Sequence, residues 1–406
     1  MLIQIALRNI LKNRRRSIIT IGSIICGFVA LSLFEGYFTD VYTTLEDQSI
    51  IGERLGHLTI AKSGYFEKGS TNPEEYAFSE DQFNEIKKVL SKYSEIELIS
   101  PRVNVNGLIS NGASSTIFIG EGIISDDVKN LRGEKYKNLP GRLNNRSDGI
   151  VIGSQLGKNL RVDTGSTVVL MSSTIDGMVN AVDATVIEAA NTGSMGTDDK
   201  AVLLPLELGR KLLAFQGATK IVVLLKTDVK IDDFKVELVR ELEDKGFQID
   251  VRSWRNLSLY YGQVKNMFDL MFLFISIVVL IIAMASVINT MSMAVIERTR
   301  EIGTMMAIGM KRRNIVMLFL TEGVFLAFIG CVLGIVLSYG LGAIINSAGI
   351  SYTPPDASGE VNLKVIILFK NLIGSTVVLT VMSMLSSFSP AMRAARYKIV
   401  DALGHV

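Results

Sequence analysis

The chain has 406 residues, enough for two or three domains at about 150 residues each. Hydrophobic residues make up 48% and charged residues 20%, and the mean hydropathy is +0.35. The net charge of +2 argues against a nucleic-acid-binding protein, and two cysteines inside apolar runs exclude a disulfide-stapled fold. Two histidines supply no Cys/His cluster for a structural zinc. These numbers predict an integral membrane protein with a large polar insert.

Four apolar stretches are long enough to cross a bilayer, which takes about 20 helical residues. They lie at 17–38, 267–296, 315–345 and 365–388. The first is too long for a cleaved signal peptide and no small-residue cleavage site follows it, so we expect a retained helix. The other segments are predicted to be an amphipathic cytoplasmic N-terminal stretch (1–16), an outer insert (39–265), a cytoplasmic loop (297–313), a short outer loop (346–364) and a cytoplasmic tail (389–406).

Lysine and arginine residues set the orientation of the spans, because short loops rich in them stay in the cytoplasm. They precede span one, separate spans two and three, and follow span four: Arg8, Lys12, Arg14, Arg15, Arg16, Arg298, Arg300, Lys311, Arg312, Arg313, Arg393, Arg396 and Lys398. The loop 346–364 has only Lys364. We therefore expect both termini and the loop 297–313 in the cytoplasm and the insert outside.

Four charged residues fall inside or near the ends of the spans. Charge in a bilayer is costly and raises the question of an ion or proton relay. Glu35, Asp269 and Lys370 lie within about two turns of the outer surface, which their side chains can reach. Glu322 lies about two turns in from the cytoplasmic side. Because no chain of acids continues across the membrane, structural roles are favoured over a relay.

The insert is predicted to be a mixed α/β domain. Strand patterns occupy 55–62, 96–110, 115–120, 220–226 and 248–252, and helical patterns occupy 79–93 and 231–245. The run 149–171 is predicted to form a strand, a short helix, a turn and a second strand. The run 201–215 is predicted to form a strand and a helix that are divided at Pro205. We expect the strand–helix–strand units at the two ends to pair, with 141–204 as a second subdomain between them. The flanks 39–51 and 256–266 are predicted to continue spans one and two as helical stalks.

No catalytic set is recognisable in the insert. Ser154, Asp163 and His57 have no spacing that marks a nucleophile and its base, and His57 is expected to be a surface or capping residue. Neither GxGxxG nor GxxxxGK[ST] occurs in the sequence. We therefore predict no enzymatic activity, no metal site and no bound cofactor for this chain itself.

The cytoplasmic loop has features that a simple positive anchor does not need. The i,i+4 spacing of Glu297 and Glu301 predicts that they share one helical face. Apolar residues at 302, 305, 306 and 308 predict an apolar face, and Gly303 and Gly309 are expected to break the helix. An amphipathic helix in a tight membrane loop suits docking into a groove of a cytoplasmic partner. From the pattern alone, anchoring and docking both stay open.

The run 297–342, which begins ERTREIGTMMAIG, resembles the signature of the permeases of the FtsX/MacB/LolC-LolE superfamily. Three further pieces resemble the same family: 6–21 its entry into span one, 149–170 its extracytoplasmic core, and 390–403 its carboxy-terminal tail. The matches cover the chain from end to end and in the family's order.

This resemblance implies four transmembrane α-helices with a large mixed α/β extracytoplasmic domain, a MacB-like periplasmic core of two subdomains. It implies a permease of the mechanotransmission type of ABC transporter in the bacterial inner membrane, paired with a second copy or a paralogue. MacB carries an ATPase domain before span one, and here we expect a separate ATP-binding subunit of the LolD/MacB type that holds ATP and Mg²⁺. The loop would be the coupling helix seated in that ATPase, through Glu297, Arg298, Arg300, Glu301, Ile302, Gly303, Met305, Met306, Ile308 and Gly309. Glu322 matches an acidic position common in the third span of the family.

The cargo implied by the resemblance to the lipoprotein-releasing LolCDE complex is a lipoprotein released from the inner membrane, and 56–60 also resembles a segment of LolE-like permeases. Its acyl chains would enter from the membrane lipids, sideways between spans one and two of two subunits, and would be held near Val29, Leu33, Leu270 and Phe274. Two alternatives stay open: efflux of a peptide, macrolide or toxin with a periplasmic adaptor, and FtsX-like signalling to a cell-wall hydrolase.

Overall fold

The structure, a computed structural model, describes residues 8–9, 12, 14–69, 72–127, 143, 146–190, 195–352 and 361–403. The chain divides into a unit 1 of residues 1–43, 264–351 and 362–406 and a unit 2 of residues 44–263 and 352–361. Most of the predicted stretch 1–16, parts of the loop 346–364 and the tail 389–406, and the predicted subdomain start at Gly141 lie outside the described residues.

The elements of the described residues are numbered in chain order. The helices are α1 Arg14–Asp47, α2 Tyr65–Lys68, α3 Pro73–Tyr76, α4 Glu80–Leu90, α5 Ser154–Leu160, α6 Met195–Asp198, α7 Leu206–Leu213, α8 Ile231–Asp244, α9 Trp254–Leu257, α10 Leu259–Glu297, α11 Thr299–Ala307, α12 Arg312–Ser347, α13 Phe369–Ala395 and α14 Ile399–Leu403. A π-helical turn, Gln48–Gly52, follows α1. The strands are β1 Leu58–Lys62, β2 Ile96–Ser110, β3 Ser115–Ile123, β4 Gly149–Gly153, β5 Thr167–Ser173, β6 Val179–Ala190, β7 Ala201–Pro205, β8 Lys220–Leu225, β9 Ile249–Ser253, β10 Ser351–Tyr352 and β11 Val361–Asn362.

Four of the described helices, α1, α10, α12 and α13, are long and apolar enough to cross a membrane. This confirms the predicted number of spans. The fourth helix begins later than the predicted 365, because 365–368 is not helical and contacts α1. The N–H of Ile366 donates to the carbonyl of Gly36 over 3.0 Å, and the N–H of Val365 donates to Asn346 Oδ1 over 2.8 Å.

Small residues bring these helices close together. A Cβ on Gly330 would lie 2.7 Å from Ile24 Cγ2, and one on Gly334 would lie 2.8 Å from Phe28 Cδ1, so α12 packs directly on α1. Ser383 of α13 donates its hydroxyl to the carbonyl of Gly323 over 3.0 Å. Such packing is typical of helices in lipid, where van der Waals contact and interhelical hydrogen bonds replace the hydrophobic effect as the driving force.

Within the described part of unit 2, nine strands form one sheet in the order β3-β7-β4-β6-β5-β2-β8-β1-β9. Strand β1 pairs antiparallel with both β8 and β9, which confirms that the two ends of the insert pair. Strand β3 also pairs antiparallel with β2, so six of these strands close into a ring. The predicted hairpin at Asn111 lies in this β2–β3 pair, where the Asn111 side chain accepts from the N–H of Ser114 over 2.7 Å.

Strand β2 joins the closed ring to the rest of the sheet. Its first half pairs with β8 and its second half with β3 and β5. The apolar core of the ring runs from Val103 to Leu213, and a separate core is built from both ends of the insert, from Leu58 to Val251. The second subdomain therefore begins within β2 rather than at 141, and it extends through α7 beyond the predicted 204. Strand β6 was not predicted.

Local sequence explains several element boundaries. Ser79 caps α4 in a capping box, its hydroxyl accepting from the N–H of Gln82 while the Gln82 side chain accepts from the N–H of Ser79. Pro205 ends β7 and stands at the N-cap of α7, as predicted from its position between the two patterns. The predicted stalk 256–266 is not one helix, because Ser258 takes extended backbone angles between α9 and α10.

Candidate functional site

The segment 297–309 is bent and contains one short helix. Glu297 is the last residue of α10, and Arg298 leaves helical geometry with φ −107° and ψ 17° before α11 begins. Glu297 and Glu301 therefore lie on different helices, and the predicted shared helical face is wrong. Gly303 lies inside α11, whereas Gly309, with φ +96°, is the residue that ends the segment.

One side of α11 is covered by the chain's own helices. Ile302 and Met306 are buried in a core shared with residues of α12 and α13 such as Phe319 and Ala394. The predicted apolar face is thus mostly internal, a feature that a single-sequence pattern does not distinguish from a free docking face. Of the four residues predicted to form the apolar face, Ile308 is exposed, with 81% of its surface accessible.

The exposed side of the segment carries charge around this isoleucine. Arg300, Glu301 and Thr304 are exposed on α11, and Met305 is half-buried. The following cations are also exposed: Lys311, Arg312 and Arg313. In the described residues, no group of three or more His, Cys, Asp or Glu side chains is placed to hold a metal ion. The arrangement suits recognition by a partner surface rather than chemistry on a small molecule.

A buried ion pair anchors the bend at Arg298. One guanidinium nitrogen lies 2.9 Å from Glu322 Oε1, and the two side chains are 8% and 5% exposed. Asn9 donates its amide to the same oxygen over 2.6 Å, and the Arg298 guanidinium lies 5.8 Å from the centre of the Phe319 ring. A cavity of about 20 Å³, large enough for one water, lies beside the pair and reaches Leu326. Removing one partner of such a buried pair typically costs about 3–5 kcal/mol.

More exposed ion pairs surround the buried one. Arg298 also pairs with Glu301 over 3.1 Å, Lys12 pairs with Glu301 over 2.8 Å, and Arg16 makes two hydrogen bonds to Glu297. The hydrogen bond from Lys12 lowers the pKa of Glu301, and Arg298 lowers it further. Burial has the opposite effect but does not outweigh these two partners. Glu322 was predicted to have a structural role, but Arg298 was not predicted as its partner. The signal available was an arginine at the end of one span and an acid inside the next.

The four residues predicted to hold acyl chains differ in environment. Val29 and Leu33 are half-buried on α1. Leu270 and Phe274, one turn apart on α10, are each 69% exposed. Among the described residues, none of the four belongs to the buried helix core or lines the cavity beside Arg298.

Charged and hydroxyl side chains join α1 to α10. Thr20 and Thr290 share a hydrogen bond of 2.5 Å, and Tyr42 donates to Asp269 over 2.8 Å. Asp269 is also paired with Lys265 and so has the structural role that was predicted for it.

In unit 2, the residues that follow α1 and precede α10 pack against the sheet. The hydroxyls of Ser49 and Ser258 lie 2.9 Å apart and are buried. Trp254, fully buried, packs edge-on against Tyr261 with ring centres 4.7 Å apart. Ile50 and Trp254 share one apolar cluster with residues of β3, β4, β7 and β8. This cluster, the stalk joint, fixes the π-helical turn and α9 to the sheet.

Buried charge in unit 2 centres on Glu121 of β3. Its carboxylate lies 2.9 Å from Lys220 Nζ and 3.3 Å from Arg54 Nε. Burial alone would raise the pKa of Glu121, but Lys220, Arg102 and Arg54 outweigh it and lower the pKa to about 2. Desolvation lowers the pKa of fully buried Arg102 to about 10. These charges lie where β2 passes from its pairing with β8 to its pairing with β3.

Two of the three residues first considered for catalysis, His57 and Ser154, have structural partners, whereas Asp163 contributes backbone hydrogen bonds to Ser166. The Nδ1 of His57 accepts from the N–H of Leu225 over 2.9 Å, and burial lowers the pKa of this imidazole, so it caps the end of β8 as a neutral group. The Ser154 hydroxyl donates to Asp198 over 2.7 Å, where Asp198 also accepts from the N–H of Gln155 at the start of α5.

Comparison with known proteins gives two family matches that together cover most of the chain. The MacB-like periplasmic core domain family matches residues 17–241, more than half of the chain, and the FtsX-like permease C-terminal family matches residues 273–399. The chain is 23% identical to the ABC transporter permease YtrF of Bacillus subtilis over 98% of its own length and 97% of that protein. It is 28% identical to the macrolide export ATP-binding/permease protein MacB of Acinetobacter baylyi over 77% of its own length, and it spans only 46% of that protein.

Among solved structures, the periplasmic region of MacB from Actinobacillus actinomycetemcomitans matches 52% of this chain and 92% of that one at 16% identity, with a TM-score of 0.36. The two family matches, and not this structural match, identify the family. They agree with the four long helices and the α/β unit described above. The chain therefore belongs to the FtsX/MacB-type family of ABC transporter permeases, multi-pass membrane proteins that work with an ATP-binding subunit.

Proposed function

We propose that this chain transmits movement from an ATP-binding subunit at segment 297–309 to its outer domain. The observation that carries the proposal is the two-sided environment of this segment. Ile302 and Met306 fix it to the membrane helices, while Arg300 and Ile308 stay exposed. A segment that is anchored on one side and open on the other suits docking into a groove of a partner. In this proposal the partner holds ATP and Mg²⁺.

The proposed orientation places this segment and both termini in the cytoplasm. It rests on the positive residues of the short loops, which stay on the cytoplasmic side of bacterial membranes. Unit 2 is then the extracytoplasmic domain. The ATP-binding subunit, which works in the cytoplasm, meets the segment on the correct side of the membrane.

The proposed route outward follows α1 and α10. The pairs Thr20–Thr290 and Tyr42–Asp269 hold the two helices together at different depths. Beyond them, Ser49 and Ser258 meet within the stalk joint, which is built on the sheet itself. In this proposal, rotation of α1 and α10 is passed along the chain to the sheet of unit 2.

We propose a lipoprotein as the cargo, released from the membrane between two permease subunits, either two copies of this chain or this chain and a paralogue. Leu270 and Phe274 supply an exposed apolar strip on α10 for acyl chains, with Val29 and Leu33 on α1. Extracting a lipid anchor costs about 0.8 kcal/mol per CH₂, which explains a need for ATP.

Efflux is the second candidate function. It is favoured by the match to MacB, a protein named for macrolide export. An efflux permease would work with a periplasmic adaptor, whereas a lipoprotein-releasing one would carry acylated protein. A cell-wall hydrolase bound to unit 2 would instead indicate the signalling function.

Affinity purification of the full chain from its own cells tests these proposals. We expect an ABC ATP-binding subunit to co-purify, and Arg300→Ala with Glu301→Ala to remove ATP-dependent activity while the chain stays in the membrane. The matched control is Lys230→Ala with Asp233→Ala, an exposed i,i+3 ion pair of unit 2. Unchanged activity in the Arg300/Glu301 variant would contradict the docking role. Mass spectrometry of the bound species then separates acylated protein, adaptor and hydrolase.

A further inference from the structure

The bend at Arg298 separates the docking segment from α10. Backbone bonds continue across it, from the N–H of Arg298 to Ala294 and from the N–H of Ile302 to Arg298, over 3.2 and 2.9 Å. The non-helical φ and ψ of Arg298 nevertheless interrupt the regular helix. A movement of α11 is therefore free to flex at this residue instead of turning α10, unless a second connection exists.

Ile302 and Met306 pack α11 against α12 and α13, and the Arg298 side chain adds a charged connection to α12. It crosses to Glu322, which lies about 15 Å along α12 from the start of that helix. The Asn9 amide holds the same carboxylate oxygen. With both partners buried, Arg298 cannot move away from α12 without leaving two charges unpaired in a low-dielectric environment. Displacement of α11 must therefore either carry α12 with it or break this pair.

The exposed ion pairs do not impose the same constraint. The side chains of Lys12 and Glu301 are 67% and 47% exposed. Exposed pairs of this kind contribute little to stability, since water and salt screen them. The buried pair is thus the one ionic contact here that is strong enough, among the described residues, to hold α11 to a membrane helix.

Helix α12 in turn touches α1 where glycines remove side chains. Gly330 packs on Ile24 and Gly334 packs on Phe28, both at distances that leave no room for a Cβ. Interiors packed this closely transmit a shift rather than absorb it. A displacement that reaches α12 is therefore passed to α1, which ends at the π-helical turn Gln48–Gly52.

We propose that Arg298 and Glu322 are positioning residues that pass the displacement of segment 297–309 to α12, and through α12 to α1. This inference rests on the docking role proposed above. It adds that the route into α1 runs through a buried ion pair and two glycine contacts, and not only along the continuous chain of α10.

The test uses the full chain with its co-purified ATPase in lipid nanodiscs, measured by hydrogen–deuterium exchange with ATP·Mg²⁺ and without nucleotide. In the unaltered chain we expect ATP to change exchange both in α11 and in Gln48–Gly52. In Glu322→Gln, which keeps side-chain volume and an acceptor oxygen, α11 still responds. The response at Gln48–Gly52 falls about tenfold or more, the population change that corresponds to one charge-assisted hydrogen bond. Lys12→Gln, the matched control, leaves both responses unchanged.

A charge exchange separates transmission from simple stability. Arg298→Glu and Glu322→Arg each abolish the response at Gln48–Gly52, and the double variant restores it, since Asn9 can then offer its amide oxygen to the new arginine. An unchanged response in Glu322→Gln, or no rescue in a folded double variant, would overturn the positioning role and leave the docking role intact. If α11 in the unaltered chain does not respond to ATP, docking itself is contradicted and this inference with it.

Discussion

Replacing Ile308 by serine tests the docking surface with the smallest disturbance of the fold. Its surface is 81% exposed, so the substitution should change the free energy of unfolding by no more than about 0.5 kcal/mol. If the residue is buried in a groove of the ATPase, losing it removes about 1.5–3 kcal/mol of binding free energy. That corresponds to a Kd about ten to 150 times higher.

The assay is equilibrium binding of the purified ATPase to the chain in nanodiscs, with thermal unfolding of each variant alongside. Ile119→Ser is the matched control, because Ile119 is the same residue type, is 60% exposed and lies on β3 of unit 2. We expect Ile308→Ser to weaken binding and Ile119→Ser to leave it unchanged. Equal Kd values for the unaltered chain and Ile308→Ser would refute the assignment of this surface.

Three further predictions concern stability. Gly309→Ala places a side chain at φ +96° and should lower the free energy of unfolding by about 1–2 kcal/mol. The control Gly340→Ala, at a helical site with open space around it, should not lower this free energy. Equal effects of the two substitutions would contradict the role of the positive φ. The new methyl group in Gly323→Ala would overlap the Ser387 hydroxyl and should lower the melting temperature. Adding Ser387→Gly should restore the melting temperature. If it does not, this overlap is not the cause of the destabilisation. Glu121 has a pKa of about 2 against an ordinary 4.5, so its contribution of about 3 kcal/mol to the free energy of unfolding is complete above pH 4.5 and is lost as the pH falls toward 2. The difference in free energy of unfolding between the unaltered chain and Glu121→Gln should therefore shrink over that range. A difference that stays constant with pH would contradict this prediction.

Much of unit 2 could be predicted because its strands alternate clearly and its turns use residues with strong local preferences. Asn111 and Pro205 marked a hairpin and a strand–helix junction that the structure contains. Strand β6 was missed although Val182, Ala184 and Val186 alternate inward along it. Small alanine side chains weakened the contrast between its two faces, and the alternation of these three residues was the available signal.

The candidate site was harder to predict, because periodicity reports a face and not what covers it. Ile302 and Met306 were expected to face a partner, and they face the chain's own helices instead. The prediction that Glu297 and Glu301 share a helical face was wrong for a related reason. A helix break at Arg298 cannot be recognised from the spacing of the residues around it. The Arg298–Glu322 contact joins residues 24 positions apart on separate helices, beyond any local pattern.

Site-specific crosslinking at Ile308 tests whether an ATP-binding subunit docks on segment 297–309 in the cytoplasm. A photo-crosslinking amino acid at this position in the full chain, activated in living cells, should capture an ABC ATP-binding subunit, and the same probe at Ile119 should capture none. Docking on the cytoplasmic side is contradicted if the probe at Ile308 captures no such subunit, or if a cysteine there reacts in intact cells with a reagent that cannot cross the inner membrane.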